Sequence, residues 1–107
     1  MGFAIRYSPQ AQRDMDAVWD GVWEASKDFD VADRYISDLA DRIAAKRTFP
    51  KSGIPLYYRG LFTGFYYVNF KAYRAFYRLR DGYIEVARVL LAKQDHIAIL
   101  LGSVDHE

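Results

Sequence analysis

The chain has 107 residues, which is the length of a single domain. Hydrophobic residues at 51% and aromatic residues at 17% supply enough apolar material for a core, so the composition excludes intrinsic disorder. The net charge is only +1, and the absence of cysteine excludes disulfides and thiolate metal sites.

A short strand and a long helix open the chain. Residues 3–7 alternate between apolar and other residues, which favours a strand. Ser8-Pro9 is typical of a helix start, with Ser8 as the N-cap and Pro9 at the first helical position. We expect this helix to reach about Ser26. Its buried stripe, at three- and four-residue spacing, is Ala11, Met15, Val18, Val22 and Ala25.

A second helix follows after a short break. Asp30 is its predicted N-cap, and the helix runs from about Val31 to Arg47. Its apolar stripe is Ala32, Tyr35 or Ile36, Leu39 and Ile43. Because the connection is short, the two helices should pack antiparallel as an αα-hairpin and cover one face of a sheet.

The segment after the second helix is rich in aromatic residues. Two prolines and a glycine predict a loop over residues 49–55, and a strand is expected over residues 65–70. The aromatic residues of this region outnumber what a small core can hold: Tyr57, Tyr58, Phe62, Phe65, Tyr66 and Tyr67. Either a partner buries some of them, or the loop folds them back on the domain.

Residues 73–91 are predicted to form a β-hairpin with Asp81-Gly82 as its turn, since a two-residue turn needs positive φ. The predicted register places Arg80 opposite Tyr83, Arg78 opposite Glu85, Phe76 opposite Ala87 and Arg74 opposite Val89. One side of the sheet, which we call the arginine face, then carries Arg74, Phe76, Arg78, Arg80 and Glu85. A tight turn at Lys71-Ala72 would add Tyr67 and Asn69 to it.

The other side of this hairpin is apolar and should pack against the helices. It carries Ala75, Tyr77, Leu79, Ile84, Val86 and Leu90, with Arg88 among them. A charge on that side is costly unless it is paired, so we predict a structural ion pair between Arg88 and Asp14 or Asp16.

The end of the chain is predicted to add a short helix over residues 94–101, stopped by Gly102, and a loose tail over residues 103–107 that includes His106. Residues 1–102 would then form the single domain. No leader segment and no long apolar run is present, so we expect a cytoplasmic protein without membrane contact.

Charge is divided unevenly along the chain. Residues 1–50 hold seven Lys/Arg and nine Asp/Glu, whereas residues 51–93 hold eight Lys/Arg and two Asp/Glu. The basic charge therefore lies on the predicted sheet. A local excess of this kind favours an anionic partner, although a solvated basic face would look the same.

The order of strand, two helices, three-stranded meander and short helix resembles the RelE/ParE toxin superfamily of bacterial type II toxin–antitoxin modules, which includes plasmid stabilisation proteins. The matching segments are Tyr7-Ser8-Pro9-Gln10-Ala11, residues 30–36, residues 49–53, residues 73–78, residues 84–90 and Ala92-Lys93-Gln94-Asp95. The resemblance implies an α+β fold of order β-α-α-β-β-β-(α), with an antiparallel sheet covered on one face by the αα-hairpin.

The resemblance also implies one of two activities. RelE-like members cut mRNA in the ribosome, ParE-like members poison DNA gyrase, and an antitoxin holds both inactive. RelE-type cleavage shares its work among several cations. Here only Arg74 matches that set, because Tyr67, Asn69 and Gln94 stand at the other positions. His96 stands where tyrosine is common; it is either a catalytic acid or base or an exposed helix histidine.

We therefore predict a ParE-like toxin that inhibits DNA gyrase, binds a cognate antitoxin and uses no metal or cofactor. The alternatives are a ribosome-dependent endoribonuclease acting on mRNA through Arg74 and His96, and an inactive member that only binds antitoxin. Whether the protein is an enzyme stays open at this point. The predicted binding residues are Tyr67, Asn69, Arg74, Phe76, Arg78 and Arg80.

Overall fold

The computed structural model describes residues 2–102 of the chain. Its elements are β1 (Ala4–Tyr7), α1 (Pro9–Ser26), α2 (Phe29–Ala44), a 3₁₀ turn (Pro50–Ser52), β2 (Ile54–Tyr58), β3 (Leu61–Phe70), β4 (Tyr73–Arg80), β5 (Tyr83–Leu91) and α3 (His96–Leu101). None of these helices is long and apolar enough to cross a membrane. The tail predicted over residues 103–107, with His106, lies outside the described part of the chain.

The strands form one sheet in the order β1-β5-β4-β3-β2. β1 runs parallel to β5, and the other neighbouring pairs are antiparallel. The predicted α+β class, with an αα-hairpin packed on one face of the sheet, is confirmed.

One strand of the sheet was not predicted. β2 occupies residues expected to be loop or irregular, and β3 starts at Leu61 rather than Phe65. Arg59 and Gly60 form the turn between them, with φ values of 53° and 80°. Positive φ at both central residues suits the twist of a two-residue hairpin. Pro55 is tolerated because β2 lies at the edge of the sheet, where a missing N–H breaks no ladder.

The caps of the helices fix the αα-hairpin. Ser8 caps α1 as predicted: its Oγ accepts from the Ala11 N–H and donates to the Ala87 carbonyl. The predicted cap of α2 is wrong, because Asp28 rather than Asp30 accepts from the first backbone N–H groups of α2. Lys27 takes a left-handed conformation that ends α1 at once, which leaves only two residues between the helices.

The main core lies between the αα-hairpin and the sheet. Ala11, Met15 and Val18 of α1 are buried as predicted, whereas Ala25 is exposed. α2 buries three residues of its predicted stripe, Ala32, Leu39 and Ile43. It ends at Ala44, not at Arg47. The sheet contributes Val68, Phe70, Ala75, Tyr77, Ile84, Val86 and Val89.

The β4–β5 hairpin follows the predicted register only as far as Tyr77. The turn at residues 81–82 and the pair Arg78–Glu85 are confirmed. A β-bulge then inserts one extra residue into β5, at Ala87. The observed pairs beyond it are Phe76 with Arg88, Ala75 with Val89 and Arg74 with Leu90. The predicted partners of Phe76 and Arg74 are therefore wrong.

The bulge adds Leu90 to a second apolar cluster, which lies on the arginine face. Leu90, expected in the main core, lies there with Phe76, Phe65 and Leu56. α3 covers this cluster through Ile97, Ile99, Leu100 and Leu101. The arginine face is therefore partly covered by a helix, since four large apolar side chains on one side of a sheet need to be shielded from water.

Candidate functional site

The arginine face is larger than the sequence indicated. β3 and β4 pair in the predicted register, with Asn69 opposite Arg74 and Tyr67 opposite Phe76. The parallel pairing of β1 places Arg6 beside Glu85 and therefore on the same face. Sequence reasoning missed Arg6, because only the tertiary pairing of the first strand with the last brings it there.

Arg74 is held by the two neighbours predicted to share its surface. Its Nε donates to Asn69 Oδ1 at 3.1 Å, and its guanidinium carbon lies 4.8 Å from the centroid of the Tyr67 ring. Nε is thus oriented by an amide, while the flat side of the guanidinium rests on an aromatic ring. Asn69 and Tyr67 together therefore orient the Arg74 guanidinium at the rim of the arginine face.

Arg78 and Arg80 share one carboxylate. Glu85 Oε1 accepts from Arg78 Nε at 2.8 Å and from Arg80 Nε at 3.3 Å. The hydrogen bond from Arg78 lowers the pKa of Glu85, with the charges of Arg78 and Arg80 and the hydrogen bond from Arg80 acting in the same direction against burial. Two cations held by one anion leave a net positive charge here.

Glu85→Gln should make stability less dependent on pH on the acid side. The pKa of Glu85 is lowered in the folded protein from its ordinary 4.5, so its contribution is complete above pH 4.5 and is lost as pH falls through the lowered value. At pH 7 we expect the free energy of unfolding of wild type to exceed that of the variant by under about 1 kcal/mol, since the ion pair of Arg78 with Glu85 is partly exposed. Urea unfolding between pH 7 and pH 3 measures this. A constant difference would contradict it.

Phe76 does not belong to the exposed part of this face. It is fully buried beneath α3, and its ring lies 5.4 Å from that of Tyr67. The prediction that Phe76 contacts a partner directly conflicts with this burial. Phe76 instead packs against the half-buried Tyr67. Asn69 and Arg80 stay exposed beside α3, and Arg78 is half-exposed.

His96 begins α3 and is half-buried, so the expectation of an exposed helix histidine is wrong. Its ring lies 5.2 Å from the Phe76 ring. Its Nδ1 is buried and has no hydrogen-bond partner among residues 2–102. Gln94 has a structural role, because its Oε1 accepts from the Leu91 N–H at the end of β5.

Arg88 forms the predicted ion pair with Asp14. Its Nε and Nη2 lie 2.7 and 3.0 Å from the two carboxylate oxygens, and the Val89 N–H donates to the same carboxylate at 2.9 Å. This pairing raises the pKa of Arg88. The reason given for the pair was wrong, since the bulge places Arg88 opposite Phe76 and not on the core side. The contact with α1 forms beyond Val86, where β1 no longer pairs with β5.

An open groove of about 460 Å³ indents the arginine face between α3 and the start of α1. Its polar lining includes Arg78, Glu85 and Arg88, and its apolar lining includes Phe65 and Ile99. The groove can accept an extended segment that carries both apolar and acidic side chains.

The aromatic segment of β2 and β3 is only partly folded back on the domain. Phe65 is buried, and Tyr66 stacks on Tyr77 at 5.6 Å. The tip of this hairpin, however, exposes a set of large apolar side chains that we call the hairpin patch. Its members are Tyr57, Leu61 and Phe62, which lie next to the turn at Arg59-Gly60, and Leu61 is 73% exposed. Exposed apolar side chains grouped in this way are typical of an interface.

Within residues 2–102, no group of three or more His, Cys, Asp or Glu side chains is arranged to hold a metal ion. The described site combines several cations with one carboxylate, an amide and aromatic rings, and its net positive charge suits it to anionic groups.

Comparison with known proteins identifies a protein family whose sequence profile this chain matches. Residues 5–96 match the sequence profile described as ParE toxin of type II toxin-antitoxin system, parDE. A search of curated proteins found no match. A chain of the chromosomal ParDE toxin–antitoxin system from P. aeruginosa is similar in structure, with a TM-score of 0.70 and 14% identity over 85% of this chain and 97% of that chain. A chain of the toxin–antitoxin complex RelBE2 from Mycobacterium tuberculosis has a TM-score of 0.60 and 18% identity over 85% and 99%. At these identities the structural similarity shows the fold alone.

Proposed function

Because this chain belongs to the ParE toxin family of type II toxin–antitoxin systems, we propose that it is a cytoplasmic toxin that inhibits DNA gyrase and is neutralised by a cognate antitoxin. It acts by binding and not by bond cleavage. Its arginine face and hairpin patch are the contact surfaces.

The surroundings of Arg74 are the observation that carries this proposal. Tyr67 and Asn69 occupy positions where RelE-like toxins are expected to have cations, and here both contact Arg74 instead. Gln94, at a third such position, bonds the end of β5. Metal-free RNA cleavage has to stabilise extra negative charge at phosphorus, and one oriented arginine supplies little of that.

A ribonuclease is the second candidate, favoured by His96. Its ring touches Phe76, which contacts Tyr67, and Tyr67 in turn contacts Arg74. The imidazole and the guanidinium thus lie at two ends of one row of aromatic rings. Under this alternative, Arg74 stabilises the charged phosphate and His96 transfers a proton.

The antitoxin is proposed as a partner on two grounds. The two similar structures are both described as toxin–antitoxin systems or complexes. The chain also pairs a basic face with the exposed hairpin patch, a combination that an amphipathic segment with acidic side chains would cover.

Two assays separate the three functions. Purified protein should inhibit supercoiling by DNA gyrase and should leave mRNA intact on translating ribosomes. Cut mRNA with unaffected gyrase would establish the ribonuclease instead. If neither assay responds while an antitoxin encoded beside the gene binds, the protein is an inactive member that only binds antitoxin.

Arg74→Ala should weaken gyrase inhibition about tenfold, as expected for an oriented arginine within an interface. Arg42→Ala is the matched control. Arg42 resembles Arg74 in its contacts, because it donates a hydrogen bond to the Asn69 carbonyl and lies over the ring of Phe70. It differs in projecting from α2. Dose–response curves for supercoiling should show the control within about twofold of wild type. Equal losses in both variants would show that the arginine face is not the contact surface.

A further inference from the structure

The tip of the αα-hairpin carries three stacked aromatic rings, which we call the aromatic shelf. Phe29, the first residue of α2, lies 5.7 Å from Trp19 and 5.9 Å from Trp23, with interplanar angles of 23° and 24°. The two tryptophans are one turn apart on α1. The Phe29 ring therefore stacks with both indoles, and the three rings form one aromatic cluster shared by the two helices.

A hydrogen bond orients one ring of the aromatic shelf, and the shelf lies outside the core. Trp19 Nε1 donates to Asp33 Oδ1 at 2.8 Å, one turn beyond Phe29, so a hydrogen bond fixes the orientation of the indole. None of the three rings is among the residues packed in the main core, and Phe29 is 63% exposed. Joining the two helices accounts for the stacking but leaves the exposure unexplained.

The surroundings of the shelf have the charge opposite to that of the sheet. Residues 16–33 contain six Asp/Glu and one Lys. Asp16 and Asp20 each precede one of the two tryptophans by three residues, which places them beside the rings on the helix surface. A cation that approaches the shelf therefore meets aromatic faces and carboxylates together.

The single lysine shows how the shelf receives a cation. Lys27 Nζ lies 4.5 Å from the centroid of the Trp23 ring and 2.9 Å from Glu24 Oε1. One ammonium group thus already uses an aromatic face and an adjacent carboxylate at the same time. The faces of Trp19 and Phe29, next to Asp16 and Asp20, offer the same chemistry to a second polypeptide.

We propose that the aromatic shelf is a docking surface for a lysine- and arginine-rich extended segment of a partner polypeptide. Apolar stems of such side chains lie on the rings, and their charged ends reach the carboxylates of α1 and α2. Arginine binds more tightly than lysine, because its planar guanidinium stacks on aromatic rings. This surface is separate from the arginine face and selects a partner of the opposite charge.

The two tryptophans make a direct measurement possible. They are the only tryptophans in the sequence, and both belong to the shelf, so intrinsic tryptophan fluorescence reports on this surface alone. Titration with hexa-arginine should give a saturable fluorescence change that weakens at high salt. Hexa-lysine should bind more weakly, and hexa-glutamate should give no change.

A pair of charge-matched variants tests the role of the carboxylates. Asp16→Asn with Asp20→Asn should weaken hexa-arginine binding about fivefold, from two lost partly screened attractions. Asp38→Asn with Asp41→Asn removes the same charge from the far half of α2 and should stay within about twofold of wild type. Thermal melting should show both variants folded. No saturable change with hexa-arginine, equal weakening in both variants, or a response to hexa-glutamate would overturn the proposal.

Discussion

Tyr77→Phe is expected to lower the free energy of unfolding by about 2 kcal/mol, because it leaves two buried backbone groups without a partner. Tyr77 is fully buried. Its hydroxyl donates to the Pro50 carbonyl and accepts from the Gly53 N–H at 3.1 Å, which ties the 3₁₀ turn and the entry to β2 onto the core. Urea unfolding measures the loss, and Tyr66→Phe, at a half-buried ring stacked on Tyr77, should cost under about 0.5 kcal/mol.

Gly53→Ala tests the same contact from the other side. A Cβ at residue 53 would lie 2.2 Å from the Tyr77 hydroxyl oxygen, so the ring must move and its hydrogen bonds break. We expect a loss of about 3 kcal/mol in wild type. In the Tyr77→Phe background the same change should cost less, because the clashing oxygen is gone. Additive losses would contradict the contact.

The Tyr77 hydroxyl also predicts a difference at alkaline pH. Burial raises the pKa of Tyr77 to about 12 from its ordinary 10.0. A raised folded-state pKa stabilises the protein below pH 10, and that contribution is lost as pH rises through the folded-state value. The gap in stability between wild type and Tyr77→Phe should therefore narrow above pH 10. A gap that stays constant up to the highest pH that permits refolding would contradict this.

Arg88→Ala and Asp14→Ala are both expected to lower the melting temperature, and Asp14→Ala more. Asp14 accepts three hydrogen bonds, two from Arg88 and one from the Val89 N–H, so its removal frees a backbone donor as well as a cation. We expect the free energy of unfolding to fall by about 3 kcal/mol in Asp14→Ala and by about 2 kcal/mol in Arg88→Ala. The second loss is smaller because Asp14 keeps its hydrogen bond from the Val89 N–H.

The control for this pair is the exposed ion pair Lys27–Glu24. Its side chains are more than half exposed, whereas those of Arg88 and Asp14 are 29% and 15% exposed. Glu24→Ala should therefore change stability by under about 0.5 kcal/mol. A melting temperature of Arg88→Ala equal to that of wild type would show that the pair contributes nothing. The double variant should lose less than the sum of the two single changes.

The sequence predicted the parts of the fold that depend on local signals. Ser8-Pro9 marked the start of α1, and Asp81-Gly82 marked the central turn with its register. The cap of α2 was predicted at Asp30, whereas Asp28, which directly follows the left-handed Lys27, is the residue that caps the helix. β2 escaped detection because Pro55 and the irregular pairing around it hide the alternation of a strand.

The candidate site was predictable only in part, because two of its features depend on long-range pairing. The extra residue at Ala87 leaves no mark in the sequence, yet it moves Leu90 to the arginine face and changes the setting of Arg88. Arg6 joins the face through a parallel pairing that no local pattern encodes.

The parallel pairing of β1 with β5 has a consequence for biosynthesis. β1 leaves the ribosome first, but its neighbour in the sheet spans residues 83–86, so the N-terminal strand waits unpaired until almost the whole domain has been translated. The Ser8 side chain likewise waits for the Ala87 carbonyl, 79 positions further along the chain. Such distant closure slows folding. A nascent chain therefore cannot complete the sheet before β5 has been synthesised, and truncated products that lack β5 leave β1 without its partner strand.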